Sequence, residues 1–198
     1  MKEVTILGTG ASRSFCSYDC ETWGVNGAYM IERHPGLRGK FRMDKLFLTD
    51  YLFRVTGQLN FDVKAMNSFS ERNNCQMITL HKIKGLNASL YPYKRIVEKF
   101  GTNYFTSSIC YMLAYALDKD YELIKLYGVD MSTVLEYYSQ KPGVEFWIGM
   151  AMMKGCTLDI SQGSTIMAPP MGVPYGFRVK YDLKQIDPYN LLKGKESK

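Results

Sequence analysis

The chain has 198 residues, 46% hydrophobic and 22% charged, with 17 Gly and 7 Pro, which excludes collagen-like, low-complexity and disordered classes. Lys and Arg number 25 against 19 Asp and Glu, a formal charge of +6. The surplus is confined to one half: residues 1–100 carry 15 basic and 9 acidic side chains, residues 101–198 carry 10 of each. The length suits one α/β or α+β domain with a sizeable core. No stretch approaches the roughly 18 consecutive apolar residues of a membrane helix, and the start MKEVTILG lacks the basic-then-apolar pattern of a signal peptide, so a cytoplasmic protein is expected. The five cysteines, Cys16, Cys20, Cys75, Cys110 and Cys156, are odd in number and scattered, which argues against a disulfide framework. Cys16 and Cys20 do not extend to a zinc site, because His34 and His81 have no companion at metal-ligand spacing.

The first predicted strand covers 4–7 and runs straight into Gly8-Thr9-Gly10-Ala11-Ser12, a strand followed by a glycine turn. Strands follow at 22–26, 45–50 and 76–80. Between the second and third lies the basic stretch containing Arg33, His34, Arg38, Lys40 and Arg42, whose Pro35, Gly36 and Gly39 predict a loop. Apolar residues at 109, 112, 113, 116 and 117 recur at helical spacing after Thr106-Ser107-Ser108, which supplies an N-cap. A strand at 123–130 ends in Gly128-Val129-Asp130, a helix spans 144–153 and closes at Gly155, and 157–160 is the last strand. Beyond 165, Pro169, Pro170 and Pro174 mark an irregular arm ending in a basic tail, which leaves 1–165 as the folded domain.

Short apolar strands alternating with helices describe βαβ units, hence a Rossmann-like α/β fold with a mainly parallel sheet covered by helices on both faces. In such a sheet the ligand lies beyond the carboxyl ends of the strands. The residues there are Gly8, Gly10, Ala11, Ser12, Asn26, Asp50 and Asp130. The small residues of the glycine turn let a backbone approach a phosphate, and a following helix would aim its N–H groups at it. Arg13 replaces the third glycine of a dinucleotide fingerprint and Asn26 stands where an acidic ribose ligand is needed, so a mononucleotide or nucleotide sugar fits better than NAD. Steric need for glycine in a tight turn is the alternative. Thr106, Ser107 and Ser108 offer three hydroxyls where capping needs one, so they are expected to reach the ligand as well. Asp130, and after it Asp50, are the candidate base or metal ligand, with an N-cap role as the alternative for Asp130. The charge surplus reads as a positive rim, including Arg38, over a phosphate-bearing small molecule. The 15 tyrosines exceed what a small core needs, which suggests that some line a concave surface, a plain surface role being the equal alternative.

Four of these motifs occur in an order that resembles a known group. They are Gly8-Thr9-Gly10-Ala11-Ser12, Trp23-Gly24-Val25-Asn26, Thr106-Ser107-Ser108 opening a Tyr-Met-Leu-Ala-Tyr-Ala helix, and Tyr127-Gly128-Val129-Asp130-Met131 followed by Glu136-Tyr137. Together they look like a group of small bacteriophage proteins, itself similar to the motility-accessory-factor and archaeal hydroxymethylpterin pyrophosphokinase family and to the bacterial CMP-sialic-acid-dependent sialyltransferases. The resemblance spans 3–165. It implies that the glycine turn, Asn26 and Thr106 to Ser108 bind the nucleotide and that Asp130 lies near the reacting group. The pyrophosphokinase likeness implies Mg²⁺ held by carboxylates, which Asp50 and Asp130 would supply if their strand ends meet. One departure is chemical: those sialyltransferases use a histidine base in a lid after the Gly-Ile-Asp strand, and this sequence has no histidine beyond His81.

The leading expectation is a phage nucleotide- or nucleotide-sugar-binding protein with transferase activity, glycosyl or diphosphate. Its rivals are a non-catalytic binder that sequesters a host nucleotide immune signal, an anti-defence role, and a nucleic-acid-binding module. The last has no RNP, helix-turn-helix or zinc motif behind it. A homo-oligomer is compatible with each.

Overall fold

The computed structural model describes residues 1–37, 39–50, 61–133, 136–169 and 174; Arg38 and most of the C-terminal arm lie outside them. Within the compact unit Met1–Ile166 the strands are β1 (Glu3–Leu7), β2 (Thr22–Val25), β3 (Lys45–Leu48), β4 (Gln76–Thr79), β5 (Ala88–Leu90), β6 (Leu123–Tyr127) and β7 (Thr157–Ile160). The helices are α1 (Val63–Asn73), α2 (Tyr93–Phe100), α3 (Ser108–Asp118) and α4 (Lys141–Met153). The seven strands form one sheet in the order β5-β4-β3-β2-β1-β6-β7, and every neighbouring pair is parallel. The Rossmann-like architecture expected from the sequence is the one observed. The chain winds outward from β1 to β5 and returns to lay β6 on the other side of β1, which makes the β1–β6 boundary the topological switch point.

Alternation along the strands divides the core into two layers. Val4, Ile6, Trp23, Phe47 and Ile78 point to one face and pack under α2, α3 and α4 with Ile96, Leu113 and Trp147. Leu7, Leu46, Leu48 and Met77 point to the other, against Met66 and Phe69 of α1 and the 3-10 segment Asn26–Arg33. α3 is buried along most of its length, from Ile109 to Asp118, so its position is fixed by packing on both sides. Trp23 gathers Phe47, Tyr115 and Tyr121 around it at centroid distances of 5.1 to 5.5 Å, so these tyrosines serve the core.

Three elements escape the apolar periodicity. α1 carries only Met66 and Phe69 as buried residues on an otherwise polar sequence, yet its boundaries are written locally. The Asp62 side chain accepts from the Lys64 and Ala65 N–H groups at 2.8 and 3.3 Å, and Asn74 ends the helix at φ +48°. α2 begins after Pro92 and ends at Gly101, φ +67°. β5 has three residues, too few to show a pattern. Conversely, the ladders stop at Val25, Leu48, Thr79 and Tyr127, so the polar residues that the sequence placed on strand ends lie just past them.

The glycine turn continues into a short 3-10 helix, Ala11–Phe15, and the full helix expected there is absent. Its shape is dictated by β6. A Cβ at Gly8 would drive into the Gly128 carbonyl, and one at Gly128, where φ is +68°, would come within 2.7 Å of the Gly8 carbonyl oxygen. The Gly8 and Gly10 N–H groups donate to Tyr127 O and Gly128 O, both at 2.8 Å. Gly8→Ala is therefore expected to cost about 3 kcal/mol, because backbone on both sides has to move. Urea denaturation will measure it; a loss below about 0.5 kcal/mol would show that the contact is easily relieved.

Candidate functional site

A cavity of about 810 Å³ opens over the carboxyl edge of the sheet, across the ends of β4, β3, β2, β1 and β6 and against the start of α3. Of the residues assigned to ligand or catalysis from sequence, Gly8, Gly10, Asn26, Asp50, Thr106, Ser107, Ser108 and Asp130 all line it. Ala11 and Ser12 do not, and Arg38 lies outside the described residues.

Ser12 is buried beneath the floor. Its hydroxyl donates to Asp130 Oδ1 and accepts from the Gly128 N–H at 2.9 Å, while its own N–H donates to Asp130 Oδ2 at 3.0 Å. One serine thus bonds to both oxygens of Asp130, which is 9% exposed, and stitches the turn after β1 to the end of β6. Among the described residues the Asp130 carboxylate bonds to the turn after β1 and not to a helix that follows it. Among residues 8–13, the N–H groups of Gly8, Gly10, Ser12 and Arg13 are all bonded within the protein. The turn is built for close approach of two strand ends.

Asn26 is the hub of the opposite wall. It sits at φ +45°, a conformation Asn tolerates better than most residues. From there its Oδ1 accepts from the Thr49 and Asp50 N–H groups at 3.2 and 3.3 Å, and its Nδ2 donates to Ser108 Oγ at 3.0 Å. The ends of β2 and β3 are so tied to α3. The three hydroxyls divide their work: Thr106 Oγ1 donates to Gln140 O at 2.7 Å, Ser107 Oγ lies 3.5 Å from Cys110 Sγ, and Ser108 accepts from Asn26. Ser107 occupies the N-cap position of α3 without making a side-chain capping bond. The N–H groups at the first turn of α3 therefore keep their dipole directed at the cavity.

The electrostatics differ from the expected basic rim. Among the described residues lining the cavity are Asp50, Asp130 and Glu136 with His81, and no Lys or Arg. Lys45 lies at the amino end of β3, ion-paired with Glu21, and Arg42 pairs with Asp44 at 2.8 Å; both belong to the edge of the sheet away from the cavity. Parallel strands put their starts and ends on opposite edges, so residues that introduce β3 cannot border its carboxyl end. Glu136 shares reciprocal bonds with Thr133, its Oε2 accepting from the Thr133 N–H at 3.1 Å. Among the described residues no group of three His, Cys, Asp or Glu is placed to hold a metal ion. Asp50 and Asp130 both line the cavity, and each Asp130 oxygen accepts one hydrogen bond from Ser12.

His81, which the sequence left equally as a surface residue or a catalyst after its strand, lines the cavity, as do Thr9, Thr49 and Tyr111, which sequence reasoning did not single out. Thr49 is 9% exposed and its Oγ1 has no hydrogen-bond partner, the one such side-chain atom among the described residues. Tyr111 stacks on Phe105, centroids 4.4 Å apart and planes at 4°, forming an aromatic wall; burial pushes its phenol upward, so it remains a protonated donor at neutral pH.

The architecture is that of a Rossmann-like protein with its site at the switch-point edge. Solved structures of the sialyltransferase CstII from Campylobacter jejuni share it: the complex with a substrate analogue, cytidine-5'-monophosphate, at TM-score 0.54 and 18% identity over 81% of this chain and 80% of that one. The CMP-3FNeuAc complex follows at TM-score 0.52 and 18% identity, covering 81% and 79%. CST-II with trisaccharide acceptor and CMP gives TM-score 0.55 and 16% identity over 88% and 89%. At these identities the likeness is one of fold. No family model and no curated protein matches the sequence. Among the described residues no helix is long and apolar enough to cross a membrane.

Ser12→Ala would leave the Gly128 N–H and the buried Asp130 carboxylate without partners, which is expected to cost roughly 2–3 kcal/mol. For a chain of this size that is a Tm lowered by about 5–10 °C, read by differential scanning calorimetry. An unchanged Tm would mean that the seam is held by the glycine backbone alone.

Proposed function

We propose that the cavity binds a nucleotide sugar and that the protein transfers its glycosyl group. The observation that carries this reading is the uncapped first turn of α3 facing a cavity walled by hydroxyls and amides. Its dipole and the Ser107 hydroxyl suit an anion met without side-chain cations, as a phosphate diester is. Around it, Thr9, Ser132, Ser139 and Gln140 offer donors and acceptors suited to sugar hydroxyls, and the Phe105 and Tyr111 wall offers a flat apolar surface for a base or pyranose ring. The shared fold with proteins solved in complex with CMP and CMP-3FNeuAc supports the choice of nucleotide. Asn26 holds the walls in place.

Thermal-shift measurement against CMP, CMP-linked sugars and other nucleoside mono- and diphosphates tests it. A ligand present at about 100 times its Kd stabilises the folded state by about 2.7 kcal/mol, a rise in Tm of about 5–10 °C. No shift with any of the panel would sink the nucleotide reading. Mass analysis of the recovered ligand then separates transfer from sequestration: a cleaved nucleotide sugar supports transfer, an intact one supports the non-catalytic binder.

A further inference from the structure

We propose that the outward face of α4 is the interface of a two-fold dimer, its occupant a second copy of this chain; the inference stands apart from the ligand reading above. α4 is pinned by its inner face. Val144, Trp147, Ile148 and Ala151 are buried, the Trp147 indole N–H donates to Tyr104 O at 2.8 Å, and a Cβ at Gly143 would collide with Thr106. The helix therefore cannot turn its outer side chains inward. Those outer residues are Pro142, Phe146, Gly149, Met150 and Met153, a row at helical spacing that carries no charge. The outer faces of α1 and α2 differ, with Lys64, Glu71 and Arg72 on the first and Lys94, Arg95 and Glu98 on the second. Phe146 is 39% exposed, Met152 58% and Met153 87%, and Tyr104, 43% exposed, packs edge-on against Phe146 at 5.6 Å. Tyr138, one turn before Pro142, is 77% exposed. At about 200 Å² for a full side chain these five leave roughly 600 Å² open. That equals the largest apolar patches of ordinary monomers and approaches the roughly 800 Å² that each partner gives to a standard interface.

Gly149 points to a second copy as the occupant. Glycine is disfavoured inside a helix, and a Cβ there would meet nothing within 4 Å among the described residues, so packing within the chain does not require it. It leaves a gap one turn from Phe146. When a second α4 lies antiparallel on the first, a two-fold axis level with Trp147 and Ile148 sets Phe146 of each copy over Gly149 of the other. The same axis sets Met153 of each copy against Pro142 of the other. One sequence then supplies both the knob and the gap that receives it, as a self-complementary two-fold contact requires. The uncharged face also lets copies of a chain with a formal charge of +6 meet without like charges opposed.

Sedimentation velocity of the full chain over about 1–200 μM is expected to show a monomer–dimer equilibrium with a Kd on the order of 10 μM, as suits an interface at the small end of the range. Met153→Glu sets a carboxylate in the contact and Gly149→Leu fills the gap; each is expected to raise Kd by about 10-fold or more. The Tm of dilute protein should not fall in either, because the one side chain is exposed and the other site is open. Register is read by oxidising an equal mixture of Pro142→Cys and Met153→Cys copies with copper phenanthroline, the five native cysteines being buried. The mixed disulfide dimer is expected, and little from either variant alone, whose own thiols lie about 16 Å apart along the paired helices. A wild type that stays monomeric throughout overturns the proposal, as does a dimer that neither Met153→Glu nor Gly149→Leu weakens. Met153→Cys cross-linked to itself in place of the mixed product overturns the antiparallel pairing. A monomer that binds anionic lipid vesicles through Met153 assigns the face to a membrane and overturns the dimer.

Discussion

The structure depends on how closely the ends of β1 and β6 approach each other. Their backbones meet at Gly8 and Gly128 with no room for a Cβ on either side, and the gap beside them is closed by Ser12 reaching across to Asp130. Three further features follow. The turn after β1 is forced into a short 3-10 segment, the N–H groups of Gly8, Gly10, Ser12 and Arg13 are consumed internally, and Ser12 and Asp130 close a seam at the floor of the cavity. A residue larger than glycine at either position would separate the two strands at the switch point, where the ligand is expected.

The two edges of the parallel sheet have been given different chemistry. At the amino edge Glu21 accepts from Lys45, Tyr121 and the Trp23 indole N–H, and Lys125 pairs with Glu3 and Asp19 at 3.2 and 3.4 Å. That edge is closed by mutual satisfaction of charge. The carboxyl edge instead holds hydroxyls, amides and the open first turn of α3 beside the carboxylates of Asp50, Asp130 and Glu136. The overall +6 therefore says little about the cavity, because among the described residues the cations that could have lined it are elsewhere.

The sequence was most readable where a strand passes directly into a special residue. Gly8, Asn26 and Asp130 were legible because apolar runs ended at them, and the parallel sheet brought them together as the strand-end rule implies. What the residues do there was less legible. Ser12 looked like a ligand contact and is a buried strut; Asn26 looked like a ligand contact and spends both ends of its amide on the protein. A short motif specifies that small or polar residues are needed, and the partner that needs them is more than a hundred positions away. α1 and α2 were missed for a different reason. Their apolar faces are narrow, so the signals were in the caps, Asp62 with Asn74 and Pro92 with Gly101, while periodicity was the signal consulted. For Arg42 and Lys45, nearness in sequence to β3 was no guide, because they adjoin the start of that strand and not its carboxyl end.

The pairing of β1 with β6 carries a consequence for the way the chain reaches this state. Glu3 aligns with Leu123, 120 positions later, and β1, an interior strand of the sheet, thus waits for one of its two neighbours until most of the chain exists. At about 5–20 residues per second of synthesis, that interval is roughly 6–24 s. During it, β1 through β5 can pair outward in succession, but the inner flank of β1 stays open and apolar, and long-range closure of this kind slows folding. The first strand made is among the last to be completed, so the nascent chain carries an exposed strand edge at its own centre until α3 and β6 arrive.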